Sequence, residues 1–237
     1  GDPADYYKPQ PKPVKYGTIN IMLLLDCDMP EGVMARALVT CTEAKTAAIQ
    51  ELLEGSKYSN GIATGSGTDQ TIIIELYMEG AGKHSKLGEL IGNTVKNAVK
   101  KALAKQSGLT PAKQHDVFRR LKRFDIKTGD MWQAYSAQDA AVVKPEYLLA
   151  AERLAKEDIM LVYTSLYVHL LDQHLWELIS AKEMQLAGQK LLQAIAEQYN
   201  VEAEIINEGT LASMLASWQQ QFNKIIAQRL HQTAKES

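Results

Sequence analysis

Cysteine is scarce in this chain of 237 residues: Cys27 and Cys41 are the only two, and they form no CxxC pair. A disulfide framework is not expected, and a reducing cytoplasm is the expected compartment. Excess positive charge is missing as well. With a net charge of -2 and a pI of 6.3, the chain lacks the basic surface that phosphate backbones require, so nucleic acid is not an expected partner. Long apolar runs are also lacking. The most apolar helical stretch, Ile159 to Leu171, falls short of the roughly 20 residues of a membrane span and is followed by Asp172 and Glu177, so no membrane partner is expected. Metal-ligand spacing is absent too: His169 and His174 lie five apart, on different sides of a helix, and no metal site is expected. The chain opens Gly1-Asp2-Pro3, with neither a methionine nor a signal-peptide pattern, as expected of a segment of a longer protein.

What remains is ordinary globular material, 46% hydrophobic and 23% charged. Residues 1–16 hold four of the seven prolines and no apolar periodicity, which predicts an extended lead-in. "GTINIMLLLD" follows, and its nearly continuous apolar run predicts a strand covered on both faces. Pro30 then marks a helix start. The predicted helix, about 31–54, carries an apolar stripe of Met34, Ala37, Leu38, Cys41, Ala44, Ala48 and Leu52, with Gly55 as its end. A loop and the β-branched run Thr71-Ile72-Ile73-Ile74 predict a second strand, to about Met78. A second helix follows, with Leu87, Ile91, Val95, Ala98 and Ala102 on one face.

The order strand, helix, strand, helix predicts an α/β domain over 17–108, with helices layered on a sheet. Beyond it, 109–237 reads as a mainly α-helical C-terminal region, interrupted near Asn200 and at Asn207-Glu208-Gly209. The basic patch "RRLKRF" (119–124) reads as a solvated face. Cys27 ends the first strand and reads as a spectator, because no histidine is placed to activate it.

The candidate chemistry sits in the first domain. Lys45 projects onto the apolar side of its helix, so it must snorkel to an edge or meet a carboxylate inside. Glu43 and Arg36 project to the opposite side as surface charges. His84 stands at the start of the second helix, where the dipole disfavours imidazolium and leaves a neutral ring able to accept a proton. Gly80, Gly82, Gly88 and Gly92 around it let backbone approach a ligand. The loop "ATGSGTD" (63–69) has the composition of a phosphate cradle without the pattern, since a Walker loop needs GxxxxGK[ST] leading into a helix. Its N–H groups could instead hold an oxyanion, with Asp69 orienting a base or a water. A small polar connector is the plainer reading.

Four stretches occur in order: "GTINIMLLLD" (17–26), "MARALVTCTEAKTAAIQEL" (34–52), "ATGSGTD" (63–69) and "GAGKHSKLGELIG" (80–92). Together they resemble the adenosylcobinamide amidohydrolase family of cobamide salvage, over roughly residues 14–105. Family members carry a strand-rich portion ahead of the "GTIN" block, and the expectation is that this portion is absent here. The resemblance implies hydrolysis of the amide between the aminopropanol arm and the corrin ring of adenosylcobinamide, giving adenosylcobyric acid and aminopropanol. The cobalt corrinoid is then substrate, and no cofactor is expected. Within the matching blocks, proton traffic falls to Asp69 and His84. Lys45 neutralises developing charge, and Glu43 serves if the helix is turned further. Thr64, Gly65, Ser66, Gly67, Thr68 and Gly82 hold the substrate or its oxyanion. Whether Thr64, Ser66 or Thr68 attacks directly or positions water stays open. The alternatives are a non-catalytic corrinoid-binding module, although the DxHxxG signature is missing, and a nucleotide-binding protein using the Gly/Thr loop.

Overall fold

Alternating exposure along two short apolar strands sets the architecture of the first part of the chain. The computed structural model describes residues 17–75, 84–139 and 142–236, excepting the side chains of His84, Ser85 and 233–236. The lead-in 1–16 and Gly82 lie outside the described residues. The chain divides into two compact units, Gly1–Gln114 and His115–Ser237.

In the first unit, β1 (Asn20–Leu25) pairs in parallel with β2 (Gln70–Glu75), from Asn20 opposite Gln70 to Leu25 opposite Glu75. Parallel neighbours require a crossover, supplied by α1 (Glu31–Glu51); α2 (His84–Ser107) follows β2. This is an α/β arrangement, as the residue pattern predicts. Leu23 and Leu25 turn inward against Ala37, Cys41, Ala44 and Ala48 of α1 and Ile91, Val95 and Val99 of α2. The small residues of α1 let the two helices lie close together over the sheet.

Four expectations about this unit need correction. Among the described residues the sheet is covered on one face rather than two: Met22 is 68% exposed, Leu24 60%, Ile72 51% and Ile74 40%. Leu38 is also exposed, and the inward stripe of α2 runs through Val99, with Ala98 and Ala102 turned out. The four-residue steps from Leu87 to Leu103 keep to the side facing α1. Finally, α1 ends at Glu51 rather than near Gly55, because Leu53 turns the chain at a left-handed φ of 50°. Gly55 pairs instead with Ile62 in an isolated bridge.

The second unit is helical: α3 (Val117–Leu121), α4 (Thr128–Ser136), α5 (Lys144–Leu154), α6 (Asp158–Leu175), α7 (Ala181–Tyr199) and α8 (Leu211–Glu236). Its core centres on Tyr147, Tyr167, Trp218 and Phe222, all fully buried. The polar tips of these rings are satisfied. Tyr167 donates to the Met214 carbonyl at 2.8 Å and Trp218 Nε1 to Thr164 at 3.2 Å, as buried aromatics require. Asn200, at φ 53°, ends α7, and a capping box of Ser180 and Glu183 starts it. The "RRLKRF" stretch is not a solvated face. Leu121 and Phe124 enter the core, and Arg123 forms a bidentate pair with Asp172, both 7% exposed at the side chain. Among the described residues, no helix is long and apolar enough to cross a membrane.

Candidate functional site

The loop that follows Ala63 folds back onto the start of β1. Asp69 is its centre. One carboxylate oxygen accepts from Lys45 Nζ at 2.6 Å and from the Ser66 N–H at 2.9 Å. The other accepts from the Ile19 N–H at 3.0 Å and from the Ser66 hydroxyl. Thr46 on α1 donates to the Thr64 carbonyl at 3.1 Å, and Thr18 and Thr68 share a hydrogen bond of 2.5 Å. Lys45 thus meets a carboxylate inside, with 12% of its side chain exposed against 10% for Asp69.

Ionised carboxylates offer about four lone-pair sites, and all of those on Asp69 face protein donors. Burial pushes the Asp69 carboxyl up. The Lys45 ammonium, the Ser66 hydroxyl and the N–H groups of Ser66 and Ile19 outweigh it and hold the group below its ordinary value. A carboxylate so held is a poor proton acceptor near neutral pH, and its contacts tie β1, α1 and the 64–69 loop together. Lys45 is committed to the same pair. Glu43 lies exposed on α1, outside this cluster.

The parallel register places these residues relative to His84. Asp69 directly precedes Gln70, at the amino end of both strands, whereas α2 begins beyond Glu75, at their carboxyl end. The helices run side by side in the same sense. Val33, Arg36, Ala37 and Thr40 of α1 line a cleft of about 360 Å³ with Leu87, Gly88 and Ile91 of α2, while Glu51 at the far end of α1 takes Lys96 at 2.9 Å and Lys100. Lys45 therefore lies about 18 Å of helix beyond Val33. The structure joins Lys45, Ser66, Thr68 and Asp69 at one edge of the sheet and starts α2, with His84, at the other. The expectation that the loop and His84 share one centre is corrected by this topology.

One polar group at the carboxyl edge escaped the sequence reading. Glu75 closes β2 on its helix-facing side, in step with half-buried Thr71 and Ile73, and its buried Oε1 has no hydrogen-bond partner among the described residues. In the sequence it reads as the polar boundary of an apolar strand. Only its inward phase along β2, two residues beyond Ile73, could have drawn attention to it.

A protein of Methanocaldococcus jannaschii described as uncharacterized is 44% identical over 94 residues, which are 38% of this chain and 37% of that protein. The chain thus spans little more than a third of that relative's length. No solved structure matches the chain significantly. Over residues 1–111 the chain matches the adenosylcobinamide amidohydrolase family, the one its four sequence blocks resemble.

Proposed function

We propose that this protein hydrolyses the amide joining the aminopropanol arm to the corrin ring of adenosylcobinamide, releasing aminopropanol and adenosylcobyric acid for cobamide salvage. The observation that carries the reading is the family match over residues 1–111, which takes in all four blocks. Amide hydrolysis needs an activated water, donors for the tetrahedral oxyanion and a proton for the departing nitrogen. His84, with Gly82 in the preceding segment, retains the proton-transfer role at the carboxyl edge of the sheet, where open α/β sheets place their ligands. The cleft between the first turns of α1 and α2, about 360 Å³, falls within the size range of small-molecule sites, roughly 300–1,000 Å³. It suits a side arm better than a corrin ring. Thr64, Gly65, Ser66, Gly67 and Thr68, held by Asp69 and Lys45, shape the opposite edge, and Glu43 is given no role. The cobalt belongs to the substrate, so no cofactor is assigned.

A second reading, corrinoid binding without turnover, draws on the full occupancy of the Asp69 carboxylate. One assay separates the two. The full-length protein is incubated with adenosylcobinamide and the products are resolved by chromatography. Appearance of adenosylcobyric acid supports hydrolysis, binding with no product supports the second reading, and neither outcome removes both.

A further inference from the structure

We propose that Glu75 is a catalytic carboxylate at the carboxyl edge of the sheet, moving the proton between the attacking water and the departing nitrogen; this rests on the hydrolysis reading above. Three observations meet at this residue. Its strand phase is inward: Ile72 and Ile74 face out, while Thr71, Ile73 and Glu75 face the helices, with Glu75 opposite the buried Leu25. Its Oε1 is buried, and no described residue donates to it. Its place is the last position of β2, at the end of the sheet where α1 and α2 begin.

A buried acceptor without a donor costs free energy that folding does not recover, so natural proteins keep such atoms where something else supplies the donor. Asp69 is the informative contrast. Its four acceptor positions are filled by Lys45, Ser66 and Ile19, leaving none for a water or an amide. Glu75 keeps an acceptor position to which no described residue donates, at the same edge as the start of α2. A ligand bearing N–H or O–H groups would supply that donor, and both an attacking water and a substrate amide bear them.

The chemistry closes without an added reactant. Water adds to the amide carbonyl as Glu75 takes one of its protons, forming the C–O bond. That proton passes to nitrogen as the C–N bond breaks, releasing aminopropanol and leaving the carboxylic acid on the corrin. Glu75 ends in the state in which it began, and nothing is oxidised or reduced.

The test is Glu75→Gln in the full-length protein, with adenosylcobinamide turnover measured from about pH 5 to about pH 9. Corrinoid binding is followed by visible absorption and folding by thermal unfolding. Glutamine preserves shape and removes the ability to take a proton. The expected result is a folded protein that binds the corrinoid as tightly as wild type, with kcat lower by roughly 100-fold or more. A folded variant with kcat within about threefold of wild type overturns the proposal, and so does a loss of activity carried by weaker corrinoid binding with kcat unchanged. If Glu75→Gln does not fold, Glu75→Asp decides. A reduced kcat with corrinoid binding retained supports the role, and an unchanged kcat overturns it. An inactive wild-type protein removes the hydrolysis reading and this inference together, whereas an active wild type beside an active Glu75→Gln removes this inference alone.

Discussion

Asp69 is a single charge on which three chain segments depend, and its replacement should be felt in stability before chemistry. Asp69→Asn leaves Lys45 largely buried opposite a neutral amide and puts an N–H₂ group among donors. Removing one partner of a buried pair costs about 3–5 kcal/mol. The residual exposure of this pair, 12% and 10%, places the expected loss at the lower end, about 3 kcal/mol, measured by urea unfolding. The pH dependence follows from the direction of the shift. The folded state holds the Asp69 proton less readily than the unfolded chain, whose aspartates titrate near about 3.9. The stabilisation is therefore complete above the ordinary carboxylate range and is lost as pH falls through the lower, folded value. Wild-type stability should drop on acidification from about pH 5 to about pH 3, and the drop should be smaller in Asp69→Asn. Equal acid slopes in the two proteins would show that the pair contributes nothing. Lys45 was readable from helical spacing because an amine on an apolar face demands a partner. Its partner was readable only as a choice between carboxylate and solvent, since 24 residues separate Lys45 from Asp69 and no local rule bridges that distance.

At the scale of the strand, neighbouring leucines of one type sit in opposite environments. Leu23 is 7% exposed against α1 and α2, and Leu24 is 60% exposed on the open face. Leu23→Ala should cost about 2–5 kcal/mol through lost burial and the cavity left behind. Leu24→Thr should stay within about 0.5 kcal/mol, because it removes little buried surface and threonine suits a strand. Comparing the two unfolding curves checks the sheet's one-sidedness directly; similar losses would mean that both faces are packed. An unbroken apolar run such as Ile21 to Leu25 predicts a doubly covered parallel strand, and nothing in the run reveals which cover is present. The same limit explains the site. Strand, helix, strand, helix could be read from periodicity, and with it the α/β class. That the loop after Ala63 and the start of α2 face opposite ends of the sheet follows only from the parallel pairing of Asn20 with Gln70 and Leu25 with Glu75. Glu75 stayed hidden for the same reason, since a terminal glutamate acquires meaning once the strand's inner face is known.

Across the whole molecule, each compact unit carries a core of its own. One is built from Leu23, Leu25, Cys41, Ile91, Val95 and their neighbours, the other from residues between Val117 and Ile226. The second core is stitched across long sequence separations. Arg123 reaches Asp172 over 49 residues, Tyr167 reaches Met214 over 47, and Arg229 reaches Glu157 over 72. The polar tips of Tyr147, Tyr167 and Trp218 are all hydrogen-bonded, and the bidentate Arg123–Asp172 pair ties the helical turn Lys122–Phe124, which follows α3, to α6. Gly209 adds a backbone constraint, because a Cβ there would lie 2.5 Å from the Ala181 carbonyl oxygen. These ties lie inside His115–Ser237, so that stretch expressed alone should show helical circular dichroism and a single cooperative thermal transition. Within it, Trp218→Ala should cost about 3–5 kcal/mol by removing the ring stacked on Phe222 at 5.2 Å between centroids. Arg123→Met should also destabilise it, because it strands the Asp172 carboxylate in a site 7% exposed. The double change Arg123→Met with Asp172→Leu should recover most of that loss, since an apolar pair of similar volume leaves no charge unpaired. A fragment that melts gradually, or a double variant no more stable than Arg123→Met alone, would mean that the ion pair and the core around it are not the elements that make this unit cooperative.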